Sequence, residues 1–183
     1  MSELIAIENL LPQWQLHAAQ IAQLFAAVPA GPDTPILCML PGGQAQAAVL
    51  AAAAHIQREV VVLPADAAQD VAGVVIAKWR PGIVVCSDDV FGWVSKLAFL
   101  NEVAAIYTCD TEAHGTLLGR ASHFNAGVLQ LHEKARLSLR CLDAQGAELT
   151  QSNKKGILKI PFLLARADRQ CREAQRSTST GTC

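Results

Sequence analysis

The chain has 183 residues and a mass of 19.5 kDa, a length that is typical of one domain. Hydrophobic residues make up 51% and charged residues 17% of the sequence, which provides enough apolar material for a core and excludes a mainly disordered protein. The formal net charge is -1, so the overall composition indicates neither a nucleic-acid-binding protein nor a membrane-surface protein.

Charge is divided unevenly along the chain. Residues 1–153 carry 8 basic and 14 acidic side chains, a net of -6, whereas residues 154–183 carry 7 basic and 2 acidic side chains, a net of +5. Because composition changes so strongly, we predict an α/β domain over residues 1–142 and a basic tail over residues 143–183 that runs from β-rich to disordered.

Signals for export or membrane insertion are not recognised in the sequence. The first residues, MSELIAIENL, carry acids where a signal peptide carries Lys or Arg. The longest apolar stretch, residues 47–54, is far shorter than the roughly 18 residues of a membrane helix. Six cysteines without a CxxC pair are typical of reduced thiols. We therefore expect a cytoplasmic protein without a membrane span, with Cys38, Cys86 and Cys109 buried and unpaired.

The first predicted element is an amphipathic helix over residues 12–28, where Trp14, Ile21 and Phe25 recur at helical spacing. Short apolar runs, typical of buried strands, then begin near residues 36, 60, 83 and 104. Helical segments separate them, at residues 44–56, 67–79 and 90–100. This alternation predicts an α/β fold with a parallel sheet of about four strands flanked by helices.

The alternation weakens after residue 110. Short strands are predicted over residues 128–131, 136–142 and 156–164, and Pro161 favours a sheet edge for the last of them. The sequence DAQGAE at residues 143–148 is typical of a hairpin turn. A short β-rich, irregular segment is therefore expected to follow the sheet.

Loops that follow the predicted strands carry candidate ligand-binding residues. Gly42 and Gly43 lie in a strand-to-helix turn, which either presents backbone N–H groups to a phosphate or is a plain tight turn. Asp88 follows the third strand, at the edge where open α/β sheets bind ligands. Capping of the following helices is the simpler interpretation of the acids in these loops, which are Asp66, Asp88, Asp89, Asp110 and Glu112.

Metal and nucleic-acid sites are not predicted. His114, His123 and His132 recur every nine residues, a spacing that does not align ligands on a helix or a strand. Phe162 is the single aromatic residue of the basic tail, which leaves little to stack on bases.

A hydroxyl-rich stretch lies near the end of the sequence. Such a segment either wraps phosphate oxygens with backbone N–H and hydroxyl donors or is a frayed terminus. Its residues are Ser177, Thr178, Ser179, Thr180 and Gly181.

Three segments together resemble the opening of an AMP-forming acyl-CoA or aryl-CoA synthetase. They are CMLPGGQAQAAVLAAAAHIQREVVVLPADA, AKWRPGIVVCSDD and AAIYTCDTE, and the resemblance covers residues 12–112. Members of this acyl-CoA ligase, adenylation-domain and luciferase superfamily typically have a strand ending in LPN-(S/G), an Ala-rich helix and a strand of the type AVVVPLDP.

The resemblance implies that the chain is the N-terminal fragment or subunit of a carboxylic acid–CoA ligase. In such enzymes a phosphate loop of the type (T/S)SG(S/T)TG-x-P-K grips ATP, and Ser177–Gly181 echoes that loop without its first Gly and without its Pro-Lys end. The family's adenylate, carboxylate and CoA contacts and its catalytic lysine lie further downstream. The resemblance therefore implies ATP as the cofactor, and it assigns no catalytic residue to this chain. We expect the chain to be inactive alone, because it is either truncated or completed by a complementary ligase chain.

Two other interpretations remain open. The chain is alternatively a stand-alone α/β module that binds a nucleotide or a small acid through Gly42, Gly43 and Asp88. It is otherwise a non-catalytic interaction protein.

Overall fold

The computed structural model describes residues 10–110, 112, 114–127 and 138–149. Helices and strands alternate in the order α1 (Pro12–Ala27), β1 (Ile36–Met39), α2 (Gln44–His55), β2 (Val60–Val62), α3 (Gln69–Trp79), β3 (Ile83–Cys86), α4 (Phe91–Leu100), β4 (Ala105–Thr108), α5 (Thr116–Ala121) and β5 (Leu139–Cys141). The helices and strands predicted up to residue 108 are confirmed. Across the described ranges, no helix has both the length and the apolarity needed to cross a bilayer.

The five strands found among the described residues form one parallel sheet in the order β4-β3-β1-β2-β5. β1 lies at the centre, with Ile36 beside Val60 on one side and beside Ile83 on the other. The predicted α/β fold with a parallel, helix-flanked sheet is confirmed. β5 comes from the segment predicted to be β-rich, and it extends the sheet to five strands by pairing with β2.

The sheet separates two apolar layers, because successive side chains of a strand point to opposite faces. Ile36 and Cys38 of β1 pack with α1, α2 and α5 on one face. Leu37 and Met39 pack with α3 and α4 on the other face. α2 is buried on all sides from Ala45 to Ala54, which its many alanines permit because small side chains let neighbouring elements approach closely.

The helix caps predicted for α3 and α4 are wrong. Neither helix has a side-chain hydrogen bond at its N-cap, which is Ala68 in α3 and Val90 in α4. A capping side chain must occupy the position directly before the first helical residue, and Asp66, Asp88 and Asp89 all lie too early in the chain. Before α4, the backbone N–H of Phe91 instead donates to the carbonyl oxygen of Asp88 at 3.3 Å.

A charged cluster fastens β5 to the rest of the sheet. Arg140 of β5 donates hydrogen bonds to the carboxylates of Glu59, which precedes β2, and Glu148. Its guanidinium carbon also lies 4.9 Å from the ring centroid of Trp79 at the end of α3. These contacts link β5 to β2 and to α3 in addition to the backbone ladder.

The hairpin-like turn predicted after β5 is present. The Oδ1 atom of Asp143 accepts hydrogen bonds from the N–H groups of Gln145 and Ala147, both at 2.9 Å. Gly146 has a φ of 75°, and a Cβ there would lie 3.1 Å from Val71 of α3, so the turn needs glycine for conformation and for space. The predicted strands at residues 128–131 and 156–164, and residues 150–183 of the predicted tail, lie outside the described residues.

Three thiols are enclosed by the sheet and its helices. Cys38, Cys86 and Cys109 are fully buried and free, as predicted. The pKa of each thiol is raised to about 12, mainly by burial, and the nearby aspartates contribute to this rise in Cys86 and Cys109. The three cysteines therefore pack in the core as small apolar side chains.

We expect these three cysteines to resist alkylation in the native protein. A rise in pKa from 9.0 to about 12 leaves roughly 1000-fold less thiolate near neutral pH, and burial also blocks the reagent. Iodoacetamide labelling followed by peptide mass spectrometry, with and without denaturant, measures this. Equal labelling of Cys38, Cys86 and Cys109 in both conditions would contradict the burial.

Candidate functional site

The candidate site lies at the carboxyl-terminal edge of the sheet, between β1 and β3. From β1 the chain first passes to β2 on one side and then crosses back to β3 and β4 on the other. At such a reversal the loops after the two central strands diverge and leave a crevice where α/β proteins bind ligands. Met39 and Cys86 pair at the ends of these strands, so Gly42, Gly43 and Asp88 are brought to the same edge.

The loop after β1 leads directly into α2. The buried side chain of Gln46 donates a hydrogen bond from Nε2 to the carbonyl oxygen of Leu40 at 3.0 Å, and this bond holds the loop against α2. The Oε1 atom of Gln44 accepts the N–H of Leu11 at 3.1 Å, so the start of α1 lies beside the start of α2. A Cβ at Gly43 would meet no atom within 4 Å. The space on the Cβ side of Gly43, directly before α2, is therefore open.

The loop after β3 carries two exposed carboxylates. The N–H of Val90 donates to the carbonyl oxygen of Ser87 at 3.3 Å, which forms a turn around Asp88 and Asp89. Burial raises the pKa of the Cys86 thiol, and the negative charges of both aspartates add to that rise because they lie close to the end of β3. They can attract a cation or a basic group at this edge.

Asp110 organises the loop after β4. Its Oδ1 atom accepts hydrogen bonds from the N–H groups of Glu112 at 3.0 Å and His114 at 2.8 Å. Its own N–H donates to the carbonyl oxygen of His114 at 3.2 Å. Capping of the next helix by Asp110 or Glu112 is a wrong prediction, because Gly115 precedes α5 directly and occupies the N-cap. Asp110 instead has a structural role within the loop.

A reciprocal pair of threonines joins the end of β4 to the start of α5. The N–H of Thr108 donates to Oγ1 of Thr116 at 2.8 Å, and the N–H of Thr116 donates to Oγ1 of Thr108 at 3.1 Å. Gly115 between them has a φ of 108°, and a Cβ there would lie 2.3 Å from the carbonyl oxygen of Thr108. The sequence analysis did not identify this clamp. The sequence feature that could have indicated it is a Gly-Thr pair at the start of a helix, following a strand that ends in Thr.

The carboxyl-terminal edge is strongly acidic. The acids in its loops are Asp66, Asp88, Asp89, Asp110, Glu112 and Asp143. Among the described residues of these loops, His114 is the only basic side chain. A phosphate group at this edge would therefore require a bound cation or basic groups from another part of the protein.

The remaining sequence candidates are not assembled by the described structure. Ser177–Gly181 and His132 lie outside the described residues, so the phosphate-binding role of Ser177, Thr178, Ser179, Thr180 and Gly181 stays a prediction. Within residues 10–110, 112, 114–127 and 138–149, no three His, Cys, Asp or Glu side chains are grouped as metal ligands.

Comparison with known proteins identifies the fold. No family model matches the sequence, and no curated protein matches it. Solved structures do match: ATP-bound MatB from Rhodopseudomonas palustris has a TM-score of 0.60 at 15% identity, and the alignment covers 69% of this chain and 25% of MatB. A Mycobacterium tuberculosis fatty acyl CoA synthetase has a TM-score of 0.55 at 11% identity, covering 70% of this chain and 26% of that one. For a benzoate CoA ligase from Burkholderia xenovorans LB400 the TM-score is 0.53 at 13% identity, covering 66% and 24%.

The described fold is that of the N-terminal part of AMP-forming acyl-CoA ligases. The predicted resemblance is thus confirmed at the level of the fold. The chain spans about a quarter of the length of the solved ligases that it matches.

We expect the substitution Gly115→Ala to lower the free energy of unfolding by about 2 kcal/mol or more, because Ala at this φ is strained and its Cβ would overlap the Thr108 carbonyl. Gly119→Ala is the matched control. Gly119 lies within α5 with open space around it, so Ala should stabilise the helix by about 0.5–1 kcal/mol. Urea denaturation of the two variants measures the difference, and equal stabilities would contradict the clamp.

Proposed function

We propose that this protein is the N-terminal part of an AMP-forming carboxylic acid–CoA ligase. In that chemistry a carboxylate oxygen attacks the α-phosphorus of ATP, pyrophosphate leaves, and a thiol then displaces AMP from the acyl-adenylate. The main support is the fold shared with ATP-bound MatB, because the segments that resemble the ligases in sequence occupy β1 to β4 of that same fold.

In this proposal the described residues form the scaffold at one side of the ATP site. The acidic edge around Asp88 and Asp110 repels an unscreened triphosphate, so it is a poor phosphate site by itself. We propose that the hydroxyl and backbone N–H groups of residues 177–181 contact the phosphates, and that the basic residues 154–176 offset the acidic edge.

The proposal includes a partner. The match covers 25% of MatB, so three quarters of a ligase have no counterpart in the aligned region. We propose that a complementary ligase chain supplies the contacts to the acid and to CoA, and that this chain is inactive alone. The proposed compartment is the cytoplasm, where ATP and CoA are available.

We expect the purified chain to show no carboxylic-acid-dependent exchange of pyrophosphate into ATP. The groups that would orient the acid against the α-phosphorus lie outside this chain in the proposal, and misplacing reacting groups removes most of the rate enhancement. The assay uses labelled pyrophosphate and a panel of aliphatic and aromatic acids, with an intact acyl-CoA ligase as the positive control. Turnover by the isolated chain that depends on an added acid would contradict the proposal of an inactive part.

A stand-alone binding module is the second candidate, because the strand order reverses between Gly43 and Asp88 and the space on the Cβ side of Gly43 is open. ATP binding distinguishes the two functions. If the ligase proposal is correct, the combined substitution Thr178→Ala, Ser179→Ala and Thr180→Ala should weaken ATP binding about tenfold or more, since each lost hydrogen bond to a charged group costs about 1.5–3 kcal/mol.

Gly43→Val provides the matched comparison. Its backbone is extended and a Cβ there meets open space, so the fold should tolerate Val while that space is filled. Isothermal titration calorimetry with ATP measures both proteins. Loss of binding by Gly43→Val alone would favour the module, and loss by the tail variant alone would favour the ligase part.

A further inference from the structure

The outer edge of β5 has no neighbouring strand among the described residues. The carbonyl oxygen of Ser138 and the N–H of Leu142, which flank the strand, both bond to β2, at 2.8 and 2.9 Å. Backbone groups alternate in direction along a strand, so those of Leu139 and Cys141 point away from β2, to the outer edge. Proteins usually pair or cover such an edge, because it is a template for a further strand.

After its turn, the chain itself begins to cover that edge. Leu142 and Glu148 form an antiparallel bridge. The N–H of Leu149 then donates to the carbonyl oxygen of Cys141 at 2.9 Å, which is one of the groups that point outward. The side chain of Arg140 donates to the carboxylate of Glu148 at 3.1 Å. The chain has therefore reversed direction and runs back along β5 when it reaches Leu149.

We propose that residues 150–152 continue this antiparallel pairing and form an edge strand on β5. The observed bridge sets the register, because each new pair lies one residue further from the turn on both strands. The sheet is then mixed, with one antiparallel strand at the edge of a parallel sheet, which is a common arrangement in α/β proteins. The new pairs are Arg140–Thr150, Leu139–Gln151 and Ser138–Ser152.

The turn reduces the entropic cost of ordering this segment. The N–H of Ala147 donates to Oδ1 of Asp143 at 2.9 Å, and Gly146 has a φ of 75°, so the reversal is already fixed and no further loop has to be closed. The new pairs give the N–H groups of Leu139 and Cys141 acceptors within the chain. The edge strand therefore needs only local ordering of residues next to Leu149.

The sequence of residues 150–155, TQSNKK, suits an exposed edge strand. Its first four residues are polar and uncharged, and Thr favours extended backbone. Lys154 and Lys155 follow directly, and lysine at a sheet edge discourages the addition of another strand. The composition therefore fits a strand that ends the sheet.

The tether decides between this segment and a strand from another protein. Residues 150–152 are attached to Leu149, which already bonds to β5, so their effective concentration at this edge is high. A separate chain would have to displace them. A complementary ligase chain therefore adds no strand here, and the inference itself does not depend on the ligase proposal.

An engineered disulfide tests the register. In the proposed pairing the Cα atoms of Ser138 and Ser152 lie about 4.5 Å apart, which a disulfide can bridge. Ser138→Cys with Ser152→Cys should therefore form an intramolecular disulfide in oxidised glutathione, detected by peptide mass spectrometry. To leave only the three buried thiols of the core, the remaining cysteines are first replaced by Ala, namely Cys141, Cys171 and Cys183.

Ser138→Cys with Asn153→Cys is the matched control. It closes a loop only one residue longer, but the side chain of residue 153 points to the opposite face of the sheet in this register. We expect the Ser152→Cys pair to reach an effective concentration at least tenfold higher than the Asn153→Cys pair. Equal disulfide formation by the two pairs, or none by either, would overturn the proposal.

Hydrogen exchange of the Leu139 amide tests the same pairing without a cross-link. In the proposed register this N–H donates to the carbonyl oxygen of Gln151, whose own N–H bonds back to Leu139. Gln151→Pro removes that bond and should speed exchange of the Leu139 amide at least tenfold. Thr150→Pro is the control, because the N–H of residue 150 points to solvent, where an edge strand tolerates proline.

Two results of the exchange measurement would overturn the proposal. The first is an equal effect of both proline substitutions on the Leu139 amide. The second is protection of that amide only when the downstream part of a ligase is added, which would identify a strand of that chain as the occupant instead.

Discussion

The fold is built around a strand that has no exposed surface. Each of the four residues of β1 is buried, its two edges pair with β2 and β3, and its two faces contact different helix layers. Ile36 to Met39 must therefore be apolar at every position, and burial of Ile36, Leu37 and Met39 contributes about 1.5–3 kcal/mol for each side chain. A polar group placed here would have no water and no free partner, so β1 fixes where all the other elements can lie.

The position of the candidate site follows from that central strand. Because β2 and β3 flank β1, the loops after β1 and β3 must be neighbours although their sequences are more than forty residues apart. Gly43 and Asp88 could be chosen from the sequence one at a time, since glycine and acids after strands are local signals. Their proximity could not be derived locally, because it depends on the reversal of strand order.

Other features were beyond the reach of local patterns for similar reasons. The β-branched runs and the helices between them identify β1 to β4 because each of those patterns lies within a short window. β5 has three residues and pairs with Val60–Val62 across a long sequence separation, so its neighbour is set by tertiary packing. The helix caps were misplaced because the loops after β2 and β3 extend one or two residues further than the aspartates, and a cap tolerates no such shift. The Thr108–Thr116 clamp depends on two residues that meet only when the chain turns back on itself.

The attachment of β5 has a consequence for how the molecule opens. β5 is short and lies at an edge of the sheet that the described residues form, and beyond its backbone ladder it is held by the packing of Leu139 on the core and by the contacts of Arg140 with Glu59, Glu148 and Trp79. Such a strand can detach as a sub-global unit while β1 to β4 stay folded. Detachment would uncover β2, whose three valines would then present unpaired backbone groups at the sheet edge. By holding β5 on β2, Arg140 helps to keep this edge paired, and high ionic strength weakens its exposed ion pairs.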